Sequence, residues 1–147
     1  MVLLAAGAGS AAESFPEVHA EHLSVYILDG NDGHPLVHVH LNLTAGYNQR
    51  DLHLEMWHQE VLTEGHGNAP LPDAMANLPL LRIKVPGRHL CLADSGSAVF
   101  SVDRIRREGL SAPNLCGTAT AAEAPGILNV FVKSKPAKGP PAAQAGN

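Results

Sequence analysis

The densest concentration of chemically versatile side chains in this sequence lies between His34 and His58. Within it, His38 and His40 stand one residue apart in the alternating run Leu36–Leu43 (LVHVHLNL). Successive side chains of an extended strand point to opposite faces, so a His-x-His pair aims both rings the same way. Two imidazoles on one face are a partial coordination sphere for iron, zinc, copper or nickel. A second alternating run, Asp51–Trp57 (DLHLEMW), sets His53, Glu55 and Trp57 against Leu52, Leu54 and Met56. Thr44–Arg50 (TAGYNQR) between them is a turn-rich connector, and the two runs read as an antiparallel hairpin. With the apolar faces inward, parity puts His40 across from His53 or Glu55, at Cβ separations of about 4.5–5.5 Å. Three imidazoles and a carboxylate then share one patch. The competing reading is an ordinary solvated outer face, which needs no function.

Strands must hold such a patch. Leu23–Leu28, Leu81–Val85, His89–Ala93, Ala98–Asp103 and Ile127–Lys133 also carry strand patterns, separated by breaks such as Gly30–Pro35, Pro70–Pro72 and Pro86-Gly87. Helix signals are sparse, and Val102–Gly109 fits a turn or two. About seven short strands at this spacing predict an all-β fold, a single antiparallel β-sandwich. The sandwich is expected over 18–134, with a flexible arm at 1–17 and a disordered Pro/Ala/Gly tail at 135–147.

Composition sets the outer limits. A chain of 147 residues has room for one domain with a modest core. Only 4% of it is aromatic, so burial falls to Val, Leu, Ile and Ala. A net charge of −4 argues against a nucleic-acid partner, and no apolar run approaches the roughly 20 residues of a membrane span. Residues 1–80 hold ten acids and one base, whereas 81–147 hold nine bases and four acids. Such a division favours packing of the halves or pairing of copies into a homo-oligomer. It also gives the eight histidines between His19 and His66 an acidic setting that suits a cation. Cys91 and Cys116 allow one bridge or two free thiols; Cys91, between Leu90 and Leu92, reads as a quiet strand residue rather than a nucleophile. The weakly signal-like N-terminus lacks a basic start, so a cytoplasmic location is expected, with secretion as the second option. Arg104, Arg106 and Arg107 read as a solvated basic face, and Asn42-Leu43-Thr44 is a glycosylation sequon only in a secreted chain.

The stretch His38–Trp57, HVHLNLTAGYNQRDLHLEMW, resembles the iron-binding segment of the intradiol ring-cleavage dioxygenases, the catechol and protocatechuate enzymes. That resemblance implies a ferric ion, or another transition metal, on His38 and His40, and no organic cofactor. It places Tyr26, twelve residues earlier, near the family's ligating tyrosine; His53 joins the candidate ligands only through the strand parity of the hairpin. Glu55 falls where the family has a glutamine, with the aromatic Trp57 two residues on, both on the substrate side. The implied activity is oxygen-dependent cleavage of a catechol-type ring, on a small aromatic or other small-molecule ligand. A competing resemblance covers more of the chain. Val25–Leu43, VYILDGNDGHPLVHVHLNL, is similar to the opening strand pair of transthyretin, and Thr63–Leu71 and Pro86–Leu92 are similar to turns of carboxypeptidase regulatory-type domains. It implies a non-catalytic module for ligand binding or assembly. Both families are prealbumin-like β-sandwiches. A cupin-like resemblance, resting on His38, His40 and His89, ranks last.

Overall fold

The computed structural model describes residues 22–92 and 96–134; the expected arm and tail lie outside them. Two four-stranded sheets form the framework of the described residues. The strands are β1 (Ser24–Asp29), β2 (His40–Gly46), β3 (Trp57–Leu62), β4 (Asn68–Pro70), β5 (Leu80–Lys84), β6 (Ser97–Ser101), β7 (Leu110–Ser111) and β8 (Ile127–Val132). Sheet one runs β4-β1-β8-β7 and sheet two runs β3-β2-β5-β6. Three short helices join them: α1 (Gln49–His53), α2 (Asp73–Ala76) and α3 (Val102–Arg107). The all-β class is as expected.

Alternation explains how one core serves both sheets. On sheet one Val25, Ile27, Leu128, Val130 and Val132 point inward; on sheet two Leu41, Leu43, Ala45, Leu81 and Ile83 do, and all belong to one buried cluster. The other face of sheet one is covered too. Leu28 and Phe131 pack with Cys91 in a second small cluster, against Tyr26, Cys116, Ala119 and Ala121. The strand-free segment that follows β7 lies over this face. Asn129 is buried there, and its amide donates to Ser111 Oγ at 2.8 Å and to the Ala122 carbonyl at 3.1 Å. A Cys91–Cys116 disulfide fastens the cover, deciding between the bridge and the free thiols that the sequence left open.

Several expectations need correction. The sandwich is not purely antiparallel: β1 and β7 both pair in parallel with β8. Over the described residues 89–92, the strand expected at His89–Ala93 reduces to one bridge between Leu90 and Val132, with the Cys91 N–H donating to the Phe131 carbonyl. The alternating run Leu36–Leu43 is not continuous, because His38 takes a left-handed φ of 58° and the strand starts at His40. Thr63 holds that break: its hydroxyl donates to the Leu36 carbonyl at 2.7 Å and accepts from the Val39 N–H at 2.9 Å.

The largest departure concerns Asp51–Trp57. Instead of a strand, Gln49–His53 is helical, and the Asn48 side chain accepts from the Asp51 N–H at 2.9 Å as its N-cap. Only Leu52 of that helix is buried; Leu54 and Met56, expected in the core, are 54% and 56% exposed. Glu55 then reverses the chain with a left-handed φ of 54°, and the partner of β2 is Trp57–Leu62. The hairpin expected of His38–Trp57 therefore exists, shifted by six residues on its second arm.

Candidate functional site

The register decides which expected site residues meet. His40 pairs with Leu62, not with His53 or Glu55, and sits exposed on the outer face of sheet two. His38 is exposed just before that strand, and His53 is exposed at the end of α1. Tyr26 lies on β1, half-buried on the outer face of sheet one under the 112–125 segment. Outer faces of stacked sheets look in opposite directions across a core about 10 Å thick. Tyr26 thus stands on the far side of the sandwich from His40. These residues do not fit a ferric centre with Tyr26, His38, His40 and His53 as its ligands, and no ring-cleavage step follows from them.

Glu55 and Trp57 are placed differently. Trp57 is half-buried at the start of β3 and meets Tyr47 edge-on, with ring centroids 5.8 Å apart. Glu55, held outward by its reversed backbone, reaches a polar depression on the outer face of sheet two. Each strand contributes to this depression through its outward parity: Asn42 and Thr44 from β2, His58 from β3, Arg82 and Lys84 from β5. With Gly96 and Ser97 they line a cavity of about 380 Å³. The ladder aligns Asn42 with Lys84, and Thr44 with both Arg82 and His58.

One network ties these side chains together. Arg82 Nη2 donates to Thr44 Oγ1 and to Glu55 Oε2, both at 3.4 Å. Thr44 Oγ1 shares a hydrogen bond with His58 Nδ1 at 3.1 Å, and that nitrogen lies 4.0 Å from Glu55 Oε2. Arg82 is three-quarters buried, so part of its charge is removed from water beside a single carboxylate oxygen. Lys84 has no ion-pair partner among the described residues. The arrangement presents two fixed cations, an amide and an imidazole against one carboxylate, which suits holding a polar ligand. Of this set, only Glu55 was expected from the sequence as a site residue. The available signal was the strand parity of Arg82-Ile83-Lys84, whose two cations flank a core isoleucine.

Two other clusters offer polar groups. Asp29, Asp32 and His34 bring ligand atoms within 4.8 Å of one another, the one such set of three or more His, Cys, Asp or Glu among the described residues. Their hydrogen bonds are consumed in shaping the β1 turn. Ser134 Oγ contacts both oxygens of the buried Asp29 carboxylate at 2.8 and 2.9 Å, the Asn31 N–H donates to Asp29, and the His34 N–H and ring both engage Asp32. A larger cavity of about 770 Å³ opens beside the disulfide, between His89, Leu115 and Lys133. Its amide and hydroxyl are already committed, Asn31 Nδ2 donating to Ser134 Oγ and Ser134 to Asp29. The smaller cavity is the better site because the Asn42 and Lys84 side chains and most of the Arg82 N–H groups line it without a partner among the described residues. The chain matches no protein-family model, no curated protein and no solved structure.

Proposed function

We propose that this chain is a non-catalytic, prealbumin-like β-sandwich module that binds a small polar ligand on the outer face of its second sheet. The observation that carries this reading is the convergence of Thr44, Glu55, His58, Arg82 and Lys84 on one cavity. The path of the chain supports the prealbumin-like type: β1 opens sheet one, β2 and β3 form a hairpin in sheet two, and β4 returns beside β1 as in a Greek key. Against catalysis at the His-x-His stretch stands the separation of Tyr26 from His40 by the full sandwich. The Cys91–Cys116 bridge favours a compartment where thiols are oxidised.

Nuclear magnetic resonance titration of the full chain with malonate, phosphate, glucose and catechol tests the reading, alongside elemental analysis and a visible spectrum. Saturable shifts centred on Thr44, His58 and Arg82 with at least one of these probes are the expected result. Stoichiometric iron with a tyrosinate band, both lost in a His38→Ala/His40→Ala variant, would restore the dioxygenase-like reading and overturn this one. So would the absence of any shift at the pocket with all four probes.

A further inference from the structure

Resting on that reading, we propose that the ligand is a compact dicarboxylate, and that Glu55 is a built-in carboxylate which the ligand displaces from Arg82. The first observation is the poor quality of the contact already there. A guanidinium offers a planar fork suited to two parallel bonds with a carboxylate. Glu55 gives Arg82 a single contact at 3.4 Å, through a side chain that is 53% exposed. An exposed, single-contact ion pair is weakly held. Arg82 is thus shown to accept a carboxylate, while most of its fork remains unfilled.

The second observation is spacing. Arg82 and Lys84 lie two residues apart on one strand, so both point to the outer face with bases about 7 Å apart. Each cation has a neutral hydrogen-bonding neighbour across the ladder, Thr44 beside Arg82 and Asn42 beside Lys84. The Asn42 amide makes no side-chain hydrogen bond among the described residues. Two cation-plus-donor stations in a row match two carboxylates joined by a short linker. A monoanion would leave one station unused, and a neutral ligand would leave Lys84 uncompensated and Arg82 on Glu55.

The third observation is how Glu55 is mounted. It sits at the left-handed reversal between α1 and β3, outside the ladder, so its side chain can swing away without breaking a strand pair. Its carboxylate holds Arg82 in place while the pocket is empty of ligand. The cavity of about 380 Å³ is at the small end of the ligand-pocket range of about 300–1,000 Å³, which suits a molecule of this size.

Isothermal titration and resonance shifts with succinate and malonate, set against succinamide, glucose and phosphate, test the proposal. At least one dicarboxylate is expected to bind at least tenfold more tightly than succinamide or phosphate. Arg82→Gln should weaken that binding at least tenfold. Lys84→Gln, at an exposed position that leaves the fold intact, should weaken it severalfold. Glu55→Gln is the discriminating variant: with the competing carboxylate gone, dicarboxylate affinity should rise by threefold or more. An unchanged or lower affinity in that variant overturns the displacement mechanism. Binding of glucose or phosphate at the pocket with no dicarboxylate binding overturns this inference but leaves the binding-module reading standing, whereas silence with every probe removes both.

Discussion

Thr44 and His58 face each other across the β2–β3 pair, with the threonine hydroxyl 3.1 Å from the imidazole Nδ1. The same hydroxyl accepts from Arg82 and is almost fully buried, so one small side chain joins two strands and two titratable groups. Replacing it by valine preserves shape while removing both hydrogen bonds. A Thr44→Val variant should lose about 1–3 kcal/mol of unfolding free energy in urea. It should also weaken any ligand bound beside Arg82. Unchanged stability would mean that the hydroxyl is idle.

His38 offers a test that separates backbone from ligand roles. At φ 58° a side chain beyond Cβ brings no benefit and some strain, whereas glycine is at ease there. His38→Gly should therefore leave stability within about 1 kcal/mol of the parent, or raise it. His38→Val, branched at Cβ, should cost more than about 1 kcal/mol. Equal effects of the two variants in chemical denaturation would show that the turn at His38 does not control this region.

The cover over sheet one depends on its bridge. Cys91 and Cys116 are 25 positions apart, and closing a loop of that length restricts the unfolded chain. The expected loss on Cys91→Ser/Cys116→Ser is about 3–4 kcal/mol. Denaturation midpoints with and without a reductant measure it directly. The bridge is also closely fitted: a Cβ at Gly30 would lie 2.5 Å from Cys91 Sγ and 2.7 Å from Cys116 Cβ. Gly30→Ala should therefore destabilise the oxidised protein more than the reduced one.

Among the described residues, Asp32 stands out for a shifted acidity. Hydrogen bonds from the His34 backbone N–H, and then from the His34 ring, hold its carboxyl below the ordinary aspartate range. A lowered folded-state value means that the contribution is complete above the unfolded value of about 3.9 and disappears as pH falls through the folded one. The stability gap between the parent and Asp32→Ala should thus be flat near neutrality and narrow only below about pH 4. Carboxyl-carbon resonances followed through an acid titration should place the Asp32 midpoint below that of an unperturbed aspartate.

The legible parts of the sequence were those where period and environment agreed. Val25 and Ile27, Leu81 and Ile83, and Leu128, Val130 and Val132 alternate because one face meets the core, and those strands lie where the pattern puts them. Ser101 before Val102 gave a short capped helix that the pattern also allowed. Asp51–Trp57 misled because its alternation was accidental. Leu52 is buried by α1, whereas Leu54 and Met56 are left in solvent. The informative residue was Asn48, a helix N-cap that outweighs period two over so short a stretch. Once the second arm of the hairpin moved, His53 left the patch and His58 took its place beside Thr44. Arg82 and Lys84 entered the site through β5, a neighbour of β2 that no local pattern could identify. Sequence parity gave their facing; only tertiary order gave their partners.

The parallel pairing of β1 with β8 has a consequence for how the chain reaches this state. Ser24 through Asp29 must find Ile127 through Val132 as neighbours, with every other described element lying between them in sequence. The thermodynamic penalty of so distant a contact grows only slowly with chain length, by about 0.6 kcal/mol per doubling. The kinetic effect is larger, because folding slows as contacting residues lie further apart along the chain. During synthesis the β2–β3 hairpin and its β5 neighbour can assemble early, while β1 waits with one edge open until β8 emerges from the ribosome. The last strand is thus the latch of the first sheet, and truncation before Ile127 should leave a chain that collects on chaperones rather than one that is merely less stable.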